Sequence, residues 1–369
     1  MPAALAPSAL VPLVPSLSRG VSSLRRGRCA GSIREFSAVL ERFPAHAPAY
    51  AWRGLAQLQL DRPWEAIGDF NAALRRDPAR CAWVKDCLAL AYRAAGVRPA
   101  RAPGLRWRST TEGELWSRRL PSLLRFFEAL EYATVAAGVR RIMFRNVRPD
   151  DPFLARARSE GLHAETVFYV KRFEGFSDHH VRAGADDPQA MAHVVVARSR
   201  RDVERVRRLY AACLGAAGHE ELGRLLGFPA CCRDFFRRQF VQRLIGDPVY
   251  EAAAETAGAR LGRDERGREL ARVSGHPECN VLLRYFGARL VSWLPCSFSC
   301  EATRRAAARW LAVGRGIDAA AAAWTLELLS RPMRWACDGL SIKIDSRLFS
   351  GVAPVTSAQR PRALRYDPL

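Results

Sequence analysis

The sequence predicts a chain in two parts: stacked antiparallel α-helical hairpins in its first third, then a mainly helical α+β domain with a few short strands. Three observations carry this prediction. An aromatic and a proline recur at a fixed interval before residue 80, around small residues placed where two helices approach. Beyond residue 140 the apolar pattern changes from helical spacing to short β-branched and aromatic runs. Half of the ten cysteines then fall between Cys231 and Cys300.

At 369 residues the chain exceeds the roughly 100 to 150 residues of a common single domain. The expected boundaries are a disordered extension over 1–31, helical repeats over 32–100, a linker over 101–113, a cysteine-bearing α+β domain over 114–350 and a disordered tail over 351–369. The extension is basic and proline-bearing, with prolines at 2, 7, 12 and 15 that break a continuous amphipathic helix. The tail from Pro354 onward reads as polar.

Within the repeats, Ala47 to Pro78 reads as two helices of about a dozen residues, broken at Asp61, Arg62 and Pro63. Gly54, Ala66 and Ala73 sit where the helices must approach closely, with Tyr50 and Phe70 filling the space around them. Stepping back 34 residues from Pro78 and Phe70 reaches Pro44 and Phe36, so Ile33 to Phe43 is the second helix of a preceding repeat. Trp83 to Ala95 reads as the first helix of a following one. This spacing of Gly54, Ala66, Phe70, Ala73 and Pro78 resembles the tetratricopeptide repeat. The resemblance implies partner binding on the concave face of the stack; a helical brace for the next domain is the other reading. Arg53 and Gln57 depart from the family pattern, standing where apolar residues are usual.

The middle region predicts a helix over Leu120 to Ala137, strands over Ile142 to Val147, Thr166 to Phe173 and His193 to Ala197, and a helix over Arg201 to Leu214. His179, His180 and His193 have no ligand spacing and read as ordinary histidines.

The formal net charge is +21, carried almost wholly by arginine, with only Lys85, Lys171 and Lys343 among the 58 basic residues. A basic surface favours nucleic acid or another polyanion as partner. Arg200 to Arg208 is the densest cluster, on and before one helix. No apolar run approaches the roughly 18 to 20 residues that span a bilayer, so no membrane association is expected. Ten cysteines without a secretion signal suit reduced thiols in a cytoplasmic setting.

Pro229, Ala230, Cys231 and Cys232 lead into a helix through Phe235, Phe236 and Phe240, placing both thiols in its first turn, where the helix dipole favours thiolate. Pro295, Cys296, Ser297, Phe298, Ser299 and Cys300 lead into an alanine- and arginine-rich helix that Ser297 or Ser299 can cap. The four-residue step from Cys296 to Cys300 puts both sulfurs on one side of a helical turn. His276 and Cys279 form a turn between the two groups. Cys231, Cys232, Cys279, Cys296, Cys300 and His276 are thus the candidate ligands of zinc or an iron–sulfur cluster. A thiol nucleophile or redox pair, and plain buried cysteines, are the competing readings. Cys29, Cys81, Cys87 and Cys213 are assigned to packing. Asp234 and Glu278, close in sequence to these thiols, are candidates to support them or transfer protons, against the plainer reading of solvated helix charge.

The run from Gly227 to Phe236, Pro295 to Cys300, Pro332 to Trp335 and Ile342 to Ile344 resemble a family of uncharacterised archaeal and bacterial proteins. Its members carry a Gly-aromatic-Pro-x-Cys-Cys element before a Pro-Cys-Ser-x-x-Cys element. The resemblance spans about residues 190–350 and implies that these cysteines act as a group; it brings no activity with it. The function expected is a metal- or thiol-dependent enzyme with a partner-binding helical module. The alternative is a non-enzymatic adaptor that contacts a polyanion through its arginines.

Overall fold

The computed structural model describes residues 15–369 apart from 78–79, 82–83, 97–103, 149, 173–179, 212–215, 243–247, 339–340 and 355–361. Pro78, Trp83, His179 and Cys213 lie outside the described residues. The chain divides into two compact units, Met1–Arg98 and Pro99–Leu369.

The first unit is a stack of helical hairpins: α1 (Pro15–Arg25), α2 (Cys29–Arg42), α3 (Ala47–Gln59), α4 (Pro63–Arg76) and α5 (Val84–Ala94). Successive helices pack against each other, α1 on α2, α2 on α3, α3 on α4 and α4 on α5. Helix α1 corrects the expectation of a disordered extension over 1–31. Pro15 is its first residue, where a missing N–H costs nothing. The signal was present in the sequence. Gly20 and Phe36 stand 34 residues before Gly54 and Phe70, and both pairs make the same contact. A Cβ on Gly20 would fall 2.6 Å from the Phe36 ring, and one on Gly54 2.8 Å from the Phe70 ring. Each glycine lets an aromatic of the next helix lie against backbone, which sets the hairpin spacing.

Arg53, the departure from the repeat pattern, is explained by its partner. Its guanidinium donates to Asp69 through Nε at 2.7 Å and Nη2 at 2.8 Å, and to Ser37 Oγ at 3.1 Å. The Asp69 side chain is only 3 % exposed. Deleting one partner of such a pair strands a buried charge, which costs about 3 to 5 kcal/mol. Asp69→Ala should therefore lower the urea midpoint of the hairpin unit, followed by far-UV circular dichroism. An unshifted midpoint would mean that water satisfies Arg53. Cys29, Cys81 and Cys87 are buried, as the packing reading expected, and burial pushes the Cys81 thiol up to about 11.

The second unit is mainly helical with two sheets. Strand β1 (Gly104–Trp107) and the start of α6 (Thr111–Ala136) occupy the segment expected to be a linker over 101–113. Leu105 and Trp107 alternate with Gly104 and Arg106, a strand pattern too short to stand out. Thr110 caps α6, its hydroxyl accepting the Gly113 N–H at 3.0 Å.

An antiparallel four-stranded sheet has the order β2 (Ile142–Val147), β5 (Met191–Ala197), β3 (His163–Arg172), β4 (His180–Ala183). The three strands read from the sequence are β2, β3 and β5. One face of this sheet buries Met143, Val147, Ala164 and Val194 against Tyr132 and Val135 of α6 and Phe153 and Ala157 of α7 (Phe153–Ser159). The other buries Ile142 and Val195 against Val203 and Val206 of α8 (Arg200–Ala211) and Leu222 and Leu225 of α9 (Ala216–Leu225). His193 is part of this packing. Its Nδ1 lies 2.7 Å from Asn146 Oδ1, and its ring stacks between Phe144 and Phe168.

A seven-stranded sheet has the order β1, β10 (Phe349–Pro354), β9 (Ser341–Asp345), β8 (Met333–Cys337), β11 (Arg362–Pro368), β7 (Glu269–Gly275), β6 (Arg260–Arg263). Strand β11 corrects the disordered tail: it runs parallel to β7 and antiparallel to β8, burying Leu364 and Tyr366. Arg362, Arg365 and Asp367 make it read as polar when only composition is weighed. Trp335, Ile342, Ile344 and Phe349 also face the core. Helix α12 (Glu301–Leu329) packs along α6 and breaks at Asp318, whose carboxylate accepts the Ala321 N–H and restarts the helix.

No helix among the described residues is long and apolar enough to cross a membrane.

Candidate metal centre

Cys231 and Cys232 lie in the first turn of α10 (Ala230–Phe236), which Pro229 introduces from an extended conformation. The helix continues as a π-helical segment, Arg237–Gln242. The thiols of Cys296 and Cys300 reach the same point by another route. The sequence expected a helical turn over 296–300, and the structure corrects this: the segment is an irregular loop. Proline at 295 and serines at 297 and 299 favour turns over helix there. Neither serine caps α12. Cys300 is the N-cap itself, its sulfur accepting the Thr303 N–H at 3.4 Å.

The loop is pinned by Phe298, which is 1 % exposed. Its N–H donates to Thr256 Oγ1 at 2.8 Å, its carbonyl accepts the His276 N–H at 2.8 Å, and its ring lies 5.5 Å from that of Tyr366. Thr256, His276 after the end of β7, and strand β11 thus hold the loop that presents Cys296 and Cys300.

Four sulfurs meet. Those of Cys231 and Cys232 are 3.9 Å apart, and each lies 3.7 Å from that of Cys300. With Cys296 added, all four lie within 4.8 Å of one another and can hold a metal ion. Cys232 and Cys300 are buried, Cys296 is half-buried and Cys231 is exposed. No disulfide joins them.

The electrostatics favour one thiolate even without metal. Hydrogen bonds from Cys232 and Cys296, with the Thr303 hydroxyl and backbone N–H, hold Cys300 far below the ordinary thiol range. The N-terminus of α12 adds its dipole at the same sulfur. Hydrogen bonds to Cys296 and then Cys300, with burial, push the Cys232 thiol upward. Cys296, which Cys232 favours but Cys300 and burial oppose, is pushed up to about 12. One negative sulfur flanked by proton-bearing ones is what a thiol group shows before an ion displaces its protons.

A supporting layer surrounds the sulfurs. The Thr303 hydroxyl, fully buried, accepts Trp293 Nε1–H at 3.1 Å and lies 3.3 Å from the Cys232 sulfur. The Thr303 hydroxyl thus stands between the indole and the sulfurs of Cys232 and Cys300. Trp293 is edge-on to Trp310, and the buried Arg140 guanidinium lies 4.6 Å from the Trp310 ring centre. Such outer contacts orient ligands and tune the metal they hold. Sequence reasoning missed Thr303 and Trp293, because a threonine in an alanine-rich helix and a tryptophan in an apolar run carry no signal.

The other two candidate ligands stand apart from the four-sulfur group. Cys279 is fully buried and its thiol donates to the Cys300 carbonyl at 3.5 Å, bracing that backbone. His276 precedes the 3₁₀ turn Pro277–Cys279, its backbone tied to Phe298. Asp234 bonds to Arg237 and Arg238, and these hydrogen bonds hold its carboxyl below the usual range. It is a surface ion pair. No family model, no curated protein and no solved structure matches the chain.

Proposed function

We propose that the chain is a metal-stapled interaction protein: a mononuclear centre on Cys231, Cys232, Cys296 and Cys300 fixes the second unit, and the helical hairpins bind a protein partner. The sulfur spacing carries this reading. Four thiolates at about 2.3 Å from one zinc ion, arranged tetrahedrally, stand about 3.8 Å from each other, and the sulfurs of Cys231, Cys232 and Cys300 lie 3.7, 3.7 and 3.9 Å apart. A four-iron cluster binds each terminal sulfur to a different iron, which spreads the sulfurs well beyond the 4.8 Å limit of this group.

Zinc is the metal these donors favour: all four are soft thiolates, and no carboxylate or imidazole joins them. Four protein ligands complete a tetrahedron and leave no open position, the arrangement of structural rather than catalytic zinc. The ion would supply cross-linking of α10 to the start of α12, two elements separated by about seventy residues of chain. The hairpin unit, on its repeated glycine–aromatic contacts, is read as tetratricopeptide-like, with the partner on its concave face.

Elemental analysis of protein purified without oxygen tests the centre. One zinc per chain is expected. Replacing it with cobalt should give the intense sulfur-to-metal absorption and visible bands of a tetrahedral thiolate site. Several irons with acid-labile sulfide, or no metal above background, would overturn the reading.

A further inference from the structure

The outward face of the seven-stranded sheet takes no part in the four-sulfur centre. Its register places Arg260 opposite Arg272, Arg272 opposite Arg365, and Arg365 opposite Arg334, so four arginines stand side by side on β6, β7, β11 and β8. The same row continues through Asp345 and Ser350 to Arg106 on β1. With neighbouring strands about 4.8 Å apart, the four arginines span about 14 Å.

Such a row costs stability, since like charges directly opposite on neighbouring strands repel. The protein does little to neutralise it. Arg260, Arg272 and Arg334 make no ion pair with any described residue. Among the described residues Arg365 pairs with Glu265, at 3.6 Å and 88 % exposed. A cavity of about 660 Å³ opens at the strand ends, lined by Arg108, Arg334, Arg347 and Arg365. Of its two acids, Asp345 is already engaged by Arg108 at 2.7 Å and Asp367 is exposed. The cluster that the sequence singled out on α8 differs. Arg200 pairs with Glu204, Arg205 with Glu221 and Arg207 with Glu165.

We propose that this arginine row is a docking surface for the phosphate backbone of a duplex nucleic acid, bound without regard to sequence. Guanidinium forks match phosphate oxygens in pairs. The flanking outward row runs Gly262, Leu270, Ala363, Ala336, Lys343, Val352 and Gly104 and carries no aromatic ring, so it lacks the stacking platform that single strands use. The face also falls short of the line of bulky apolar side chains that anchors a protein in a lipid surface: among the described residues of that row Leu270 is buried and Val352 is the one exposed bulky apolar side chain. What it offers is a track of fixed cations, and duplex phosphates are its complement.

Fluorescence anisotropy of the full chain with a labelled DNA duplex of about 20 base pairs tests this across 50 to 200 mM salt. Each phosphate contact contributes about 0.9 to the slope of log affinity against log salt. The triple variant Arg272→Gln, Arg334→Gln, Arg365→Gln should flatten that slope by about 2.7 and weaken binding at the lowest salt more than tenfold. Arg205→Gln on α8 should leave the slope unchanged. Because the triple variant relieves repulsion, its thermal midpoint should not fall, which separates lost binding from lost fold. A wild-type chain that does not bind the duplex, or a slope the triple variant leaves intact, overturns the proposal. So does binding to vesicles containing phosphatidylserine that the triple variant abolishes while duplex binding persists.

Discussion

A Cys300→Ser chain is expected to purify without bound metal and to unfold about 10 °C below the wild type, more than any substitution elsewhere around the sulfurs. Cys300 is the hub of the group. Its sulfur lies 3.7 Å from two others and caps α12, so its loss removes a ligand, a cap and the thiolate that the free site favours. An ion present at a thousand times its dissociation constant stabilises the folded state by about 4 kcal/mol, and 1 kcal/mol is about 2 to 4 °C in a domain of some 200 residues. Metal content and a calorimetric scan, with and without a chelator, read both effects. Cys279→Ala is the contrast: its sulfur lies outside the group, so that chain should keep its ion. The idea fails if chelation leaves the wild-type midpoint in place.

Gly275→Ala should be nearly as damaging, although it touches no thiol. A Cβ at this position would lie 2.6 Å from both the carbonyl oxygen and the Cβ of Phe298, and 3.1 Å from its carbonyl carbon. Two of these atoms are backbone, so no rotamer change relieves the clash. The strand end is fixed too, because the Gly275 carbonyl accepts hydrogen bonds from the Tyr366 hydroxyl at 3.1 Å and the Leu369 N–H at 2.9 Å. The loop carrying Cys296 and Cys300 must therefore move. Overpacking of this kind costs about 1 to 3 kcal/mol, and displaced ligands should weaken metal retention at least tenfold, by analogy with loss of outer-layer support. Competition with a chromogenic zinc chelator measures it; affinity equal to wild type would show that the loop is not held by β7.

What could be read from the sequence followed from how local each signal is. Helices α2 to α5 were legible because a helical repeat writes its packing as a fixed interval, and β2, β3 and β5 because their valines and aromatics are dense. The grouping of Cys231, Cys232, Cys296 and Cys300 was also legible, but the way they meet was not. The helical turn expected at 296–300 is a loop whose shape is set by Phe298, Gly275 and Thr256, residues distant in sequence. Strands β1 and β11 carry a weak signal for a related reason: Arg106 and Arg365 face outward and Arg362 is half-buried by its pairs with Glu251 and Glu269, and an arginine looks like a loop residue until its neighbours are known. Helix α1 was lost to its prolines, although Gly20 stood in repeat register with Gly54.

The placement of β11 has a consequence for how the chain comes together during synthesis. It lies between β7 and β8, yet it is made after both. Until it leaves the ribosome, the sheet exists as two halves with facing open edges, each a template for strands of other chains. Completion also needs contacts across about ninety residues, Arg362 against Glu269 among them, which is slow. Nascent chains stalled before residue 362 should accordingly engage chaperones and aggregate, whereas the hairpin unit, whose pairings are all local, is already folded by then.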